Sequence, residues 1–391
     1  MYSEIRFPKI IVYLGIMIKR TISVGLQNRF NKGKAIVLIG PRQVGKTTLL
    51  RHCLNNKDFL FLDGDDYEIR ALLRDAGKSK LQAIIGKHKW VFIDEAQRIP
   101  DVGLIAKIIT DQFNDVQLLI SGSSALEINQ STQEPLTGRK VEYYLFPISW
   151  EEFEDHVGYV EASAQLEERL IYGMYPDVIN HRHDAREVLK QLTSSYLYKD
   201  VLSLTGIKKP ELLEKLLKAL ALQLGNEVSY NELSNLVEID KATVAKYIDL
   251  LEKTFIVFRL NSFNRNQRNE IKHNRKIYFY DNGVRNMIIN NLNSIDLRTD
   301  KGALWENFLI AERIKLQNYH QLHAANYFWR TLQKQEIDFI EERDGKIGAY
   351  EFKWKSKGKK KIPRSFLQEY HAEGTVIDIE NFRNFVRNNV L

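Results

Sequence analysis

Short apolar runs alternate with polar, helix-patterned stretches over the first third of the chain. That is the pattern of a parallel α/β sheet whose strands are buried on both faces. Residues 35–39, 59–62, 91–93 and 118–120 read as the buried strands, and a fifth, 141–145, ends at Pro147. Residues 104–109 and the segment after Thr47 read as crossover helices. The pattern then changes. From Trp150 to about Gly225 the chain reads mainly as helices, with Leu213, Leu216, Leu217, Leu220 and Leu224 at the spacing of a packed face. Pro210 suits that helix's first turn, where its missing N–H costs nothing.

The next segment has a three-part pattern. Ser229 and Glu232 form a capping box that opens a short helix, residues 239–241 turn, and 243–253 form a second helix with Val244, Ile248 and Leu251 inward. Apolar strands at 255–260 and 277–280 follow, separated by a basic, Asn-rich loop. Helix, turn, helix and β-hairpin predict a winged helix-turn-helix. After an Asn-rich linker (290–300), a helix at 303–316 and strands at 327–330, 336–341 and 347–353 restore mixed α/β character. The last two strands form a hairpin around Asp344 and Gly345.

Composition narrows the classes. At 391 residues the chain predicts two to four domains. Its one cysteine, Cys53, excludes a disulfide framework or a cysteine-built zinc site within one chain and fits a reducing compartment. The net charge of +7 is gathered into two clusters, residues 259–276 and 353–361. Such clusters fit a polyanion partner, or equally solvated faces that keep the protein soluble. Residues 10–18 (IIVYLGIMI) are apolar but too short for a bilayer span of about 20 residues. They read as a buried strand or an upstream extension, with Met17 as a candidate natural start, and no membrane association is expected.

The chemistry is concentrated at two places. Gly40, Pro41, Arg42, Gln43, Val44, Gly45, Lys46 and Thr47 match GxxxxGK[ST] between an apolar strand and a helix, with Thr48 next in the helix. Backbone N–H groups and the helix N-terminus suit phosphates, Lys46 suits the β- and γ-phosphates, and the Thr47 hydroxyl suits Mg²⁺. Residues 90–95 (WVFIDE) are a strand ending in two carboxylates, which places Asp94 at the magnesium and Glu95 near an attacking water. Ser123, in the run 121–124 (SGSS), either senses the γ-phosphate or belongs to a tight turn. Arg139 either neutralises transition-state charge, in cis or across a subunit boundary, or makes an ordinary salt bridge. A small-molecule kinase is disfavoured, because the acidic pair suits hydrolysis. ATP as cofactor implies a cytoplasmic protein.

The runs GPRQVGKTT, IDEAQ, SGSS and LTGR, in this order, resemble the prokaryotic AAA-type ATPases that end in a domain of unknown function. The likeness continues through residues 172–176 (YGMYP), 198–200 (YKD) and 280–283 (YDNG). It implies an α/β chain organised as an AAA-type ATPase domain (1–149), a helical region (150–225), a winged helix (226–290) and a nuclease-like C-terminal domain (291–391). The preference for adenine comes from this resemblance, since a P-loop reads phosphates. Ring assembly and a monomeric switch both stay open. One departure is serine after the fourth strand, where asparagine is usual in AAA proteins.

In the DNA-facing half, Lys241, Thr243, Lys246 and Tyr247 fall on the candidate recognition helix. Arg259, Arg265, Arg268, Lys272, Arg275 and Lys276 fall on the wing. Lysine and arginine there suit phosphate and would make DNA affinity salt-dependent; a lid or protein-binding role is the alternative. Asp338 on one hairpin arm and Glu351 and Lys353 on the other resemble the D…ExK motif of restriction-endonuclease-like proteins. Asp338 and Glu351 would hold Mg²⁺, Lys353 would assist, and Glu306 would add a carboxylate. An inactive fold used for binding fits the same residues.

Overall fold

The computed structural model describes residues 17–122, 136–194, 209–264, 275–331, 333–355 and 362–388. The segment 10–16, Ser123, residues 198–200, Arg265, Arg268, Lys272 and most of the 353–361 cluster lie outside the described residues.

Five apolar segments form the first sheet: β1 (Ala35–Ile39), β2 (Leu60–Asp63), β3 (Trp90–Asp94), β4 (Gln117–Gly122) and β5 (Lys140–Tyr144). They stand in the order β2-β3-β4-β1-β5, every neighbouring pair parallel. β1 and β4 are buried along their whole lengths, as central strands covered on both faces must be. Because all five run the same way, their C-terminal ends share one edge of the sheet, and ligands of such sheets bind there.

Beyond β5, Ser149 and Glu152 make a full capping box that opens the helix Trp150–Val157. Further helices follow, among them Pro210–Leu222 with proline in its first turn. The helices Tyr230–Val237 and Lys241–Lys253 are each capped by a side chain: Ser229 accepts from the Glu232 N–H, and Asp240 from the Thr243 N–H.

The second sheet takes in β6 (Glu227–Val228), β7 (Val257–Ser262), β8 (Arg275–Phe279), β9 (Ala325–Arg330), β10 (Glu336–Arg343), β11 (Lys346–Phe352) and β12 (Glu373–Ile377). Their order is β12-β11-β10-β9-β7-β8-β6. β7 and β8 form an antiparallel pair, and β7 also runs parallel to β9 through Asn261 and Ser262. One sheet therefore runs through both the 226–290 and the 291–391 segments. The β10–β11 hairpin turns at Asp344 and Gly345, both at positive φ (53° and 75°), the backbone of a tight two-residue turn.

The 172–176 and 280–283 motifs, far apart in sequence, pack together. Asp281 is buried, accepts the Met174 N–H at 2.7 Å and caps the next helix through the Val284 N–H at 3.0 Å. Their role is to join the helical region to the strand β8.

Candidate functional site

β1 delivers the chain into the loop 40–45, and the helix Lys46–Cys53 leaves it with Gly45 as N-cap at φ 92°. Gly40 is fixed by close approach: a Cβ there would lie 2.0 Å from the Leu145 carbonyl oxygen at the end of the adjacent strand. Pro41 and Val44 are buried, Arg42 is partly buried, and Gln43 and Thr48 are exposed. Lys46 is buried to 5 % exposure and donates from Nζ to the carbonyls of Gly40 (2.9 Å) and Pro41 (2.8 Å), within its own loop.

Asp94, at the end of β3, meets this loop from across the sheet edge. Thr47 Oγ1 donates to Asp94 Oδ2 at 2.7 Å, and Ser121 Oγ, near the end of β4, donates to Asp94 Oδ1. The helix Lys46–Cys53, β3 and β4 thus bring hydroxyl, carboxylate and hydroxyl together at one edge. These are hard oxygen donors, and Thr47 with Asp94 fits an octahedral divalent cation such as Mg²⁺. Glu95 follows in the left-handed conformation (φ 45°), and Gln97 Nε2 donates to its Oε2 at 2.5 Å. Ser121 is the residue that sequence reasoning passed over. Its signal was present in the SGSS run, but strand alternation cannot tell which serine faces the carboxylate.

Arg139 lies elsewhere. It immediately precedes β5, whose Lys140 pairs with Ala35 at the start of β1, so it sits at the opposite end of the sheet from the P-loop. A strand of five residues spans roughly 16 Å. Its Nε pairs with Asp111 at 2.5 Å, with the arginine side chain 40 % exposed. A cis role at the phosphates is out of reach in this arrangement; the salt-bridge alternative is the one realised.

The hairpin motif comes together in part. The Phe352 N–H donates to Asp338 Oδ2 at 2.7 Å, and Lys353 Nζ stands 2.9 Å from Glu351 Oε1. The register of β10 on β9 shifts between Ile337 and Ile340, an irregularity of the kind that re-aims a side chain, and Asp338 lies within it. Burial, with the nearby Glu306 and Glu351 carboxylates, pushes Asp338 up to about 7. Among the described residues no three His, Cys, Asp or Glu side chains stand together as a metal-holding group.

An unexpected member completes the cluster. Lys276 of β8 is buried to 1 % exposure, with Nζ 3.2 Å from Glu306 and 2.7 Å from Glu336, while Tyr278 OH donates to Glu306 at 2.5 Å. Burial works against the Lys276 ammonium, but the Glu306 and Glu336 carboxylates outweigh it and raise its pKa. Lys276 is therefore an internal cation and not a wing residue facing solvent. Two other expected DNA contacts are also engaged within the protein. Tyr247 is buried in the core, and Arg259 is paired with Asp249 at 2.8 Å and with Glu252. Lys241 and Lys246 are exposed, Thr243 spends its hydroxyl on Asp240 at 2.5 Å, and Arg275 lies over the Tyr230 ring at 4.5 Å.

No helix among the described residues is long and apolar enough to cross a membrane. Against known proteins, residues 32–154 match the AAA domain family, while residues 163–294 and 301–389 match two domains of unknown function, DUF8612 and DUF4143. An uncharacterized protein of Mycobacterium tuberculosis is 26% identical over 355 residues, covering 90% of this chain and 77% of that protein. One from Haemophilus influenzae is 25% identical over 343 residues, covering 80% of each. Among solved structures, the Walker-type ATPase of Pyrococcus abyssi superposes with TM-score 0.49 at 16% identity, covering 70% of this chain and 96% of that one. The family match and the P-loop motif agree on one stretch of chain: residues 32–154, which match the AAA domain family, hold the run 40–47 and the strand end at Asp94.

Proposed function

We propose that the protein hydrolyses ATP at the C-terminal edge of its parallel sheet and uses the nucleotide state to change how a DNA-facing half is presented. The observation that carries the first part is the meeting of Thr47, Asp94 and Ser121 beside the loop 40–45. In this reading the loop N–H groups and the N-terminus of the helix Lys46–Cys53 take the phosphates. Lys46 leaves the Gly40 and Pro41 carbonyls for the β- and γ-phosphates. Mg²⁺, held by Thr47 and Asp94, would supply charge neutralisation on the phosphate oxygens. Glu95 turns from Gln97 to orient the attacking water, and Ser121 holds the Asp94 carboxylate in place.

DNA contact is supported by the exposed Lys241 and Lys246 on the helix Lys241–Lys253 and by Arg275 at the start of β8, read together as the contact residues of a winged helix. The site residues that fall on undescribed segments, Ser123, Arg265, Arg268 and Lys272, belong to the same proposal. For the C-terminal half a specific observation favours the binding role over cleavage. Lys353 is closed onto Glu351, Asp338 is occupied by the Phe352 N–H, and the neighbouring Glu306 is held by Lys276. The C-terminal half is then a nuclease-like module that binds under the control of ATP.

Mg²⁺-dependent ATP hydrolysis, measured with and without DNA on wild type and Lys46→Ala, tests the reading. A Lys46-dependent rate that DNA raises is the expected result. Turnover indifferent to DNA, together with no DNA binding at low salt, would sink the DNA half of the proposal. Strand cleavage abolished by Asp338→Ala and by Lys353→Ala would replace the binding role with an active nuclease.

A further inference from the structure

Arg20 lies ahead of every motif in the chain, yet it is buried and touches the P-loop directly. Its Nη1 donates to the Val44 carbonyl at 2.8 Å and its Nη2 to the Phe146 carbonyl at 2.7 Å. Its Nε meets Glu152 Oε2 at 3.0 Å, and Nη2 also reaches Tyr319 OH at 2.9 Å. The four partners come from the P-loop, the exit of β5, the helix Trp150–Val157 and the helix Lys301–Tyr319. Burial works against the guanidinium charge, but Glu152 outweighs it and raises the pKa, so the group stays charged.

From these contacts we infer that Arg20 is a positioning residue for the P-loop, and that Tyr319 lets the C-terminal half set how firmly it holds. The inference rests on the reading of this loop as an ATP site. A trans peptide is planar, with its C=O and N–H on opposite sides. Pinning the Val44 carbonyl on Arg20 therefore turns the Gly45 N–H to the other side of the loop, the side left for phosphate. The helix Lys301–Tyr319 grips the exit of β5 along one face. Tyr319 OH accepts the Phe146 N–H at 3.0 Å, Lys315 donates to the Ile148 carbonyl at 3.3 Å, and Glu312 accepts the Trp150 N–H at 2.5 Å. Glu306 sits on the same helix, thirteen residues or roughly 20 Å from Tyr319 at helical rise. One helix therefore has the P-loop's arginine at one end and the Lys276 cluster at the other.

Tyr319→Phe keeps the ring against Phe146 and removes only the hydroxyl, so it tests the link in a folded chain. The expected result is an ATP KM raised about fivefold, the size of one lost hydrogen bond, with kcat within about twofold. The rise in melting temperature on adding ATP should shrink in the same variant, because binding and docking are linked. Arg20→Lys should raise KM further, since an ammonium cannot span the four partners. A Tyr319→Phe chain that melts lower but keeps the wild-type KM would reduce Tyr319 to a packing role and overturn the inference alone. A wild type that binds no ATP would overturn the ATP-site reading together with it.

Discussion

The P-loop site and the Lys276 cluster are both charged sites built on sheets, and they are assembled in opposite ways. In the first, one loop of eight residues carries most of the chemistry, and β3 and β4 add one oxygen group each. In the second, the groups come from β8, β10, β11 and the helix Lys301–Tyr319, and the cation is spent inside the protein. The first site holds a lysine on its own backbone carbonyls, from which, on the proposed reading, a phosphate displaces it. The second holds its lysine on two carboxylates. A local motif can keep a charge available, whereas a cluster gathered from four elements is also part of what binds those elements together.

Lys46→Ala should separate the two most sharply. On the proposed reading it removes the side chain that takes the β- and γ-phosphates, and ATP turnover should fall by roughly a thousandfold, as for other groups that stabilise phosphoryl-transfer charge. The fold should survive, since Lys46 Nζ donates to two carbonyls of its own loop and does not tie distant elements together through those bonds. Steady-state turnover and a thermal melt on one preparation check both halves. The converse is Lys276→Met, which keeps the aliphatic stem and deletes the cation. Glu306 would keep Tyr278, but it and the partly exposed Glu336 would lose their shared cation, which should cost up to about 3 kcal/mol of stability. Chemical denaturation would measure it. A loss below that of a surface pair would mean the cluster is wetter than its burial indicates.

The sequence was most readable where structure is local. Five strands, the P-loop, the Asp94–Glu95 strand end and the Asp344–Gly345 turn are each set by a few adjacent residues, and the fold repeats them within two or three positions. Arg20 and Lys276 gave no local signal. Arg20 looks like any flanking arginine, and only the return of the chain at residues 146–152 and 319 closes a pocket around it. Lys276 sat in a basic run, and period-two alternation on β8 decides that Arg275 stays at the edge while its neighbour turns to the carboxylates. Arg139 shows the same limit from the other side. The LTGR string suggests a role at phosphate, but which end of the sheet it occupies depends on strand direction.

A smaller effect sharpens the comparison by pH. Asp338 is raised from an ordinary aspartate value to about 7, and the charged groups around it are Glu306, Glu351 and Lys276. The folded state therefore binds a proton more tightly than the unfolded chain does. This group's contribution is full at acid pH and is lost as pH rises from about 4 through about 7. Asp338→Asn keeps an oxygen for the Phe352 N–H and has no charge to acquire. Relative to wild type it should gain stability between pH 5 and pH 8, by a few degrees of melting temperature. An equal offset at both pH values would show that Asp338 titrates normally.

The smallest expected effect belongs to Arg139→Ala. The pair with Asp111 is partly exposed on both sides, the arginine side chain at 40 % and the aspartate at 35 %. Exposed pairs of this kind contribute at most about 1 kcal/mol, because water solvates both charges nearly as well apart. Turnover by the isolated chain should be unchanged within about twofold, since the residue stands a full strand length, roughly 16 Å, from the loop 40–45. The informative version of the measurement varies protein concentration. If turnover per chain rises with concentration in wild type and stays flat in Arg139→Ala, the arginine serves a neighbouring copy's phosphates. Its distance from its own P-loop is then the reason that activity needs assembly. If both proteins give the same flat profile, Arg139 only ties the start of β5 to the helix Val102–Gln112, and on the proposed reading the transition-state charge falls to Lys46, the loop N–H groups and Mg²⁺ without an arginine.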